Sequence, residues 1–468
     1  MTINDLRKEK IALLGLSTEG ISTAEFLFRH AIPFTILEMH DLQSLGDRNK
    51  LLEKWNVPAI VGEDHRKHIA DYSLIFRSPG VPLFLPELSA ARQNGSIISS
   101  NTKLFMVLTR GHTIGVTGTK GKGTTTMLIA SILKSQGIAA FIGGNIGVPP
   151  LNFIDDMSED DFAILELSSF QLEDFEKSPE IAVILGLAPD HLAPESPDAP
   201  NYHSSVDAYY EAKKQLIIHQ KNSDRVILNA DDEIVRGFSD STPAEALYFS
   251  RTHKVSGSYI RYDEEIILNM HDTETLIGNT TDLKLAGRHN WFNICAAIAT
   301  SAAVGCSVEA IRRGIFSFSG YEHRLEFVQE INGVRFFDDS AATNPDPCIA
   351  AIQAFDSPIV LIAGGSDKGQ SYTELGKVIA GSTVKAVYLI GDMAHKIAEA
   401  INSEAGFKGK IIMADKTPMA ELVQTCHSRT KAGDIVLLSP ACASFDMFKN
   451  YKDRGNQFKA AVKNLEIQ

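Results

Sequence analysis

Short apolar runs that break abruptly into glycine, serine or aspartate recur along the whole chain. They include KIALLGLSTEG near the N-terminus, HTIGVTGTKGKGTTT around residue 115, and FAILELSSF, IAVILGLAPDH and RVILNADD beyond it. GVRFFDDSAATN, PIVLIAGGSDKG, KAVYLIGD and DIVLLSPACASFD repeat the pattern toward the C-terminus. A run that is apolar at every position has no face to give to water, so each predicts a strand covered on both sides. The stretches ISTAEFLFRH and TTTMLIASILKSQG, with their helical periodicity, supply covering helices. The expected fold class is α/β, with doubly wound, mainly parallel sheets whose strand ends carry function. Residues 251–285 alternate instead and predict antiparallel strands, while RHNWFNICAAIATSAAVG predicts a helix.

A chain of 468 residues exceeds one ordinary core, and three domains are expected: 1–110, 111–321 and 322–468. With 44% hydrophobic and 22% charged residues and a mean hydropathy of −0.05, the composition is that of a soluble globular protein. The longest apolar runs have only strand length, so no membrane-spanning helix is expected. MTINDLRKEKIALLGLS lacks the h-region and cleavage site of a signal peptide. A net charge of −13 argues against nucleic acid as a main partner; phosphorylated small molecules would need local positive sites. Five cysteines (Cys295, Cys306, Cys348, Cys426, Cys442) show no paired metal spacing and suit a reducing cytoplasm.

The loop in VTGTKGKGTTT carries the most specific chemistry. Gly115, Gly118 and Gly121 allow a tight turn whose N–H groups face an anion. The following helix adds the positive end of its dipole, and Lys122 adds a point charge for phosphates. A strict phosphate-loop pattern would place glycine at Val116 and a hydroxyl residue at Gly123, so the match is imperfect. An ordinary glycine turn would not need Lys120, Gly121, Lys122 and then Thr124, Thr125 and Thr126 between a strand and a helix.

Other candidates sit at neighbouring strand ends. LGLSTEG resembles a dinucleotide fingerprint with Ser17 in place of the second glycine, and Glu38 ends the next strand as a possible nucleoside acceptor; a helix cap plus a surface glutamate fits equally well. Glu166 ends FAIL beside the phosphate loop, where a hard carboxylate suits Mg²⁺. His191, after the following strand, could hold a second metal, although a loop histidine is ordinarily just solvated. Lys213 in DAYYEAKKQL reads as a solvent-facing helical lysine beside Lys214, unless carbamylated by CO₂ into an oxygen ligand. In the last segment Arg324, Asp339, Ser340 and Lys368 are the polar candidates. Phe445, Phe448 and Tyr451 have helical spacing and read as core, whereas Ser444 and Phe445 at the loop–helix junction could offer backbone N–H groups.

VTGTKGKGTTT, GGNIG, LELSSFQLE, DHL, AKKQL, LNADD, GRHNWFN, HRLEF, DDSAATN, AGGSDKG and LLSPACASFDMFKNYKDRG occur in this order across nearly the whole chain, and in them it resembles the Mur ligase family. LELSSFQLE and LLSPACASFDMFKN match the members that join D-glutamate to UDP-N-acetylmuramoyl-L-alanine. The resemblance implies an N-terminal Rossmann-like domain for the uridine nucleotide, a central P-loop ATPase domain and a C-terminal Rossmann-like domain for the amino acid. It implies ATP-dependent amide formation through an acyl phosphate, in a cytoplasmic, monomeric enzyme of peptidoglycan synthesis that uses two Mg²⁺ ions. By position, Lys122, Glu166, His191, Lys213 and Lys368 would be catalytic, with Thr124, Glu166, His191 and carbamylated Lys213 serving the metals. Gly118, Thr119, Lys120, Gly121, Lys122, Gly123, Thr124, Thr125, Asn290, Asn293, Arg324 and Asp339 would hold ATP. Leu16, Ser17, Glu38, Ser78, Gly80 and Asn145 would meet the uridine nucleotide and muramoyl part, and Thr343, Lys368, Ser444, Phe445 and Tyr451 the amino acid.

Four positions depart from the family pattern: Gly123 for a hydroxyl residue, Gly186 and Ala193 around DHL for asparagine and aspartate, and Ala341 for the lysine of DSKATN. GTKGKGT is closer to folylpolyglutamate synthase, a relative that ligates glutamate to folates. A ligase with another amino acid or acceptor, and a nucleotide-binding relative without catalysis, therefore remain open. The five catalytic candidates argue against the latter, and LGLSTEG against the folate enzyme.

Overall fold

The computed structural model describes residues 2–40, 48–192, 201–285, 287–367, 370–404 and 406–465. Among them the apolar runs form three separate sheets. The first contains β1 (Ile11–Leu14), β2 (Phe34–Glu38), β3 (Ala59–Val61), β4 (Leu74–Arg77) and β5 (Ile97–Ser99), all parallel, in the order β3-β2-β1-β4-β5. Every residue of β1 and β4 is buried, as their apolar runs require, and burial extends to Arg77 at the end of β4. The strand order reverses between β1 and β4, and their ends meet in register at Leu14 and Arg77. A parallel sheet opens its crevice at such a reversal.

The second sheet contains β6 (His112–Thr117), β7 (Ala140–Gly144), β8 (Phe162–Glu166), β9 (Ile181–Ile184), β10 (Arg225–Asn229), β11 (Glu245–Ser250), β12 (Gly257–Ile260), β13 (Glu265–Met270) and β14 (Thr273–Asn279). Their order is β14-β13-β12-β11-β10-β9-β6-β8-β7. The expected antiparallel region is confirmed for β12-β13-β14, but β12 joins the sheet parallel to β11. β6 lies between β8 and β9, with Val116 beside Glu166 and Thr117 beside Ile184. The glycine loop leaving β6 therefore emerges between the end of β8, which carries Glu166, and the apolar end of β9. The helix Lys122–Gln136 follows it and stops at Gly137, whose φ of +84° lies in the left-handed region that ends helices.

The third sheet contains β15 (Glu326–Ile331), β16 (Val334–Asp338), β17 (Ile359–Gly364), β18 (Val384–Ile390), β19 (Lys410–Asp415) and β20 (Ile435–Leu438), in the order β15-β16-β20-β17-β18-β19. Only β15 and β16 pair antiparallel. By contact the chain divides into two compact units, Met1–Thr280 with Phe292–Ile315, and Thr281–Trp291 with Phe316–Gln468. The first holds two sheets because one apolar cluster is continuous from Leu6 and Phe26 through Phe105 and Phe153 to Leu165 and Leu228. Each fully buried Leu, Ile or Phe there contributes about 1.5–3 kcal/mol. No helix among the described residues is long and apolar enough to cross a membrane, and all five cysteines are free and buried.

Within the first unit a buried carboxyl links the helix Thr18–Arg29 to the segment after β8. Gln171 Nε2 donates to Glu19 Oε1 at 2.6 Å, while Glu19 Oε2 is buried without a partner. Burial pushes this carboxyl from 4.5 up to about 7, against the Gln171 hydrogen bond and the Arg77 charge. A carboxyl whose pKa rises on folding stabilises the protein below its unfolded value and loses that contribution as pH climbs through the folded one. Relative to Glu19→Gln, the wild-type protein is expected to lose stability in urea unfolding between pH 4.5 and about 7. A difference that stays flat across this window would show that Glu19 folds as a carboxylate.

Candidate functional site

The turn after β6 depends on two glycines. Gly118 has a φ of +148°, and a Cβ there would lie 2.7 Å from Leu185 Cβ. Gly121 has a φ of +88°, and a Cβ there would lie 2.2 Å from Asn293 Oδ1. The loop is pinned on its far side by Thr119. Its N–H donates to Gly186 O (2.9 Å), its hydroxyl contacts Ala188 O (3.1 Å) and Tyr209 OH (3.0 Å), and it accepts from Ala188 N (2.9 Å). Thr125 is fully buried and donates to Asn293 Oδ1 at 3.3 Å. Lys120 is exposed, while Thr124 is half-buried in the first helical turn.

Three charged or ionisable side chains, Lys122, Lys213 and Glu166, gather around this loop, and His191 lies beyond Tyr209. Lys122 Nζ donates to the carbonyls of Gly118 and Thr119, both at 3.0 Å. Lys213 is 2% exposed, on the helix Val206–Lys214, and its Nζ donates to the same Gly118 carbonyl at 2.9 Å. The solvent-facing reading of Lys213 is therefore overturned: its helix turns this face onto β6, leaving Lys214 toward solvent beside Glu211. Burial, then the charge of Lys122, pull the Lys213 ammonium from 10.5 down to about 7, opposed by Asp190 and Glu166. Glu166 is buried; its Oε1 accepts from Asn145 Nδ2 (2.9 Å) and its Oε2 faces Gly123. His191 is exposed at a φ of +51°, its ring 5.3 Å from Phe170 and 6.4 Å from Tyr209.

At the first sheet's reversal, Ser17 caps the helix Thr18–Arg29 and its hydroxyl meets Ser78 Oγ at 2.9 Å. Ser78 in turn donates to Gly15 O (2.9 Å). Glu38 is buried, with Oε2 accepting from Leu16 N (2.6 Å) and Oε1 from His40 N (3.1 Å). The carboxylate thus clamps the β1 turn, while Gly80 and Asn145 are exposed.

In the second unit Arg324 is exposed, in a loop where His323 and Leu325 both have positive φ (+65° and +43°). That loop is held by His323 Nδ1 on Asp338 Oδ2 (2.7 Å) and by Leu325 N donating to Asp339 Oδ1 (3.1 Å). Asp339 is almost fully buried, takes a second hydrogen bond from Ser439 Oγ (2.6 Å), and is pushed by burial up to about 7. Its carboxyl shapes the Arg324 loop from beneath. Arg454 ties DDSAATN to SPACASF, with Nε on Ser340 Oγ (2.9 Å) and Nη2 on the carbonyls of Ser340 (2.9 Å) and Cys442 (3.1 Å). Ser340 Oγ also donates to Tyr451 O (2.8 Å). Ser444 is buried; Phe445 N donates to Ser366 Oγ (3.2 Å). Thr343 and Tyr451 are half-buried, and Lys368 lies outside the described residues. Asn290 and Asn293 are buried in the first turn of the helix Asn290–Val304.

Reading Phe445, Phe448 and Tyr451 as one helical core stripe is corrected: the helix begins only at Tyr451, and Phe445 is 71% exposed. Asn450 caps that helix by accepting from Asp453 N, so the preceding residues turn away from it. The sequence reading also passed over Tyr209 and His203. Tyr209 sits one helical turn before Lys213, its ring 4.7 Å from Lys213 Nζ, a proximity that the i,i+4 spacing could have signalled. His203 is buried flat on Phe170 (4.8 Å), and its N–H donates to His191 O (2.8 Å). Burial drives its imidazole down to about 4, so it packs as a neutral ring. Nothing in the local sequence marks it.

Three family descriptions match consecutive parts of the chain: a MurD-like N-terminal domain of Mur ligases over residues 9–100, the Mur ligase middle domain over 116–301, and the Mur ligase glutamate ligase domain over 323–442. The UDP-N-acetylmuramoylalanine–D-glutamate ligase of Acetivibrio thermocellus is 36% identical over 472 residues, spanning 99% of both chains. Those of Symbiobacterium thermophilum and Clostridioides difficile are each 38% identical, covering 98% and 99% of this chain and 98% and 100% of their own. Among solved structures, UDP-N-acetylmuramate-alanine ligase MurC from Thermotoga maritima has a TM-score of 0.56 at 18% identity, covering 98% of this chain and 100% of its own. MurF from Acinetobacter baumannii has a TM-score of 0.55 at 18% identity over 88% and 83%. These two likenesses are of fold.

Alanine at Gly121 would combine a strained left-handed backbone with a clash on Asn293, a cost of about 1–3 kcal/mol concentrated in the loop. Gly121→Ala is expected to weaken nucleotide binding roughly tenfold or more in calorimetry, with near-native circular dichroism. Unchanged affinity would show that this turn does not hold the ligand.

Proposed function

The chain belongs to the Mur ligase family and is an ATP-dependent ligase that adds D-glutamate to UDP-N-acetylmuramoyl-L-alanine in peptidoglycan precursor synthesis; we propose that the strand ends around Lys122, Glu166 and Lys213 carry the chemistry. One observation supports this most directly: Lys122 and Lys213 converge on the Gly118 carbonyl while Glu166 faces the same loop at Gly123. We assign residues 1–110 to the uridine nucleotide, 111–321 to ATP and 322–468 to the amino acid. The match of residues 9–100 to a MurD-like N-terminal domain supports a uridine nucleotide over a folate as acceptor.

In this reading the N–H groups of the turn from Lys120 to Thr124, the dipole of the helix Lys122–Gln136 and the Lys122 ammonium receive the ATP phosphates, while the Thr119 and Thr125 N–H groups stay on Gly186 O and Gly121 O. Asn290, Asn293 and Arg324 hold the nucleotide, with Asp339 fixing the Arg324 loop. Leu16, Ser17, Ser78, Gly80 and Asn145 meet the uridine nucleotide and muramoyl part, and Glu38 shapes the turn that presents them. The alanyl carboxylate attacks the γ-phosphorus as the bond to ADP breaks. The amine of D-glutamate then attacks the acyl carbon, loses a proton, and phosphate leaves. Thr343, Ser444, Phe445 and Tyr451 are assigned to the amino-acid site, as is Lys368 by sequence position alone.

The donor set fits Mg²⁺: Glu166 offers buried carboxylate oxygens, Thr124 a hydroxyl and His191 an exposed imidazole. Lys213 joins them only as a carbamate, because an ammonium has no lone pair. When bound, two Mg²⁺ ions would neutralise the phosphate charge that builds up during transfer. We further propose that the enzyme acts as a monomer in the cytoplasm, which five free buried cysteines suit.

Phosphate release from ATP with UDP-N-acetylmuramoyl-L-alanine is expected with D-glutamate and not with L-glutamate. Lys213→Ala is expected to reduce it by about a hundredfold or more. Full activity in Lys213→Ala would overturn the site assignment; equal use of L-glutamate would overturn the amino-acid specificity.

A further inference from the structure

We propose that Lys122, before nucleotide arrives, is the counter-ion that holds a carbamate on Lys213. The inference rests on the reading of Lys213 as a carbamylated residue and adds what stabilises that group in the resting enzyme.

Both lysine nitrogens hydrogen-bond one oxygen, the Gly118 carbonyl, at 3.0 and 2.9 Å. They therefore lie within about 6 Å of each other, close enough for strong interaction where water is excluded. As two ammonium groups they repel. Lys213 has no carboxylate to compensate among its hydrogen bonds, which go to Gly118 O and Thr117 Oγ1. Asp190 and Glu166 are the nearby acids; they oppose this repulsion without a hydrogen bond to Lys213, and one Glu166 oxygen is engaged by Asn145. The Tyr209 ring closes the other side of Lys213 and offers no positive group.

Addition of CO₂ reverses the sign of this contact. The lone pair of the neutral Lys213 amine forms the N–C bond, a C=O π pair moves onto oxygen, and one N–H proton leaves to solvent. The remaining N–H can keep the Gly118 carbonyl, and the new carboxylate oxygens reach toward the Lys122 ammonium. Cation faces anion where two cations stood. Lys122 then has two successive partners, the carbamate in the resting enzyme and the phosphates once ATP binds, which frees the carbamate oxygens at that moment. This role explains why a lysine one helical residue past the turn folds back on the loop's own carbonyls.

The test is ¹³C NMR of the full-length protein in ¹³C-bicarbonate, with a chelator and without nucleotide. A carbamate resonance absent from Lys213→Ala is expected in the wild type. It should fall roughly tenfold in Lys122→Met and survive substantially in Lys122→Arg, which keeps the charge. Thermal melts of both variants establish that they are folded. Wild-type intensity in Lys122→Met, or a wild-type resonance that appears only when Mg²⁺ is added, would overturn the assignment of Lys122. No resonance under any condition, Mg²⁺ and ADP included, would instead remove the carbamate itself.

Discussion

A single backbone carbonyl, that of Gly118, organises the central site. It is available because β6 ends between β8 and β9 and the chain turns sharply there through a glycine at φ +148°. A side chain at this position would meet Leu185, so the turn and the packing beneath it require each other. Lys122 comes back to this carbonyl from the next helix, and Lys213 reaches it from a helix nearly a hundred residues later. The loop proposed to cradle phosphates is also the point where two lysines are brought onto one oxygen.

Around that point the protein uses neutral groups as scaffolding and keeps charge for function. Tyr209 and Thr119 exchange a hydrogen bond, His203 packs as an uncharged ring against Phe170, and Asn145 orients Glu166. In the second unit a buried charged group shares the bracing: Asp339 lies beneath the loop of Arg324 and the Arg454 guanidinium beneath that of Phe445, and Arg324 and Phe445 remain exposed. Their hydrogen bonds fix the backbone of those loops.

The departures from the family pattern acquire a local physical setting. A Cβ at residue 123 would lie 3.1 Å from Glu166 Oε2, so Gly123 leaves the carboxylate room to sit against the start of the helix. A Cβ at residue 186 would meet nothing closer than Asn229 Nδ2 at 3.8 Å, and steric demand does not account for the missing asparagine there. Ala341 sits in a loop braced by its N–H on His323 O and by Ser340 on Arg454, a geometry that a lysine side chain is not needed to maintain. Ala193 lies outside the described residues.

The amino-acid sequence by itself determined the α/β class, the glycine turn between β6 and the next helix, and the family, because apolar runs, glycines and the lysine–threonine cluster act through local backbone rules. It also marked Glu166, His191 and Lys213, each beside a recognisable strand end or helix. It did not reveal that Lys213 is buried, that Phe445 is exposed, that both Glu38 oxygens accept from backbone N–H groups, or that Asp339 accepts from the Leu325 N–H and the Ser439 hydroxyl. Nor did it point to His203 or Arg454. Such roles arise from contacts between residues distant in sequence, and only tertiary packing decides which face of a helix meets a sheet and which polar atom is left to meet a ligand.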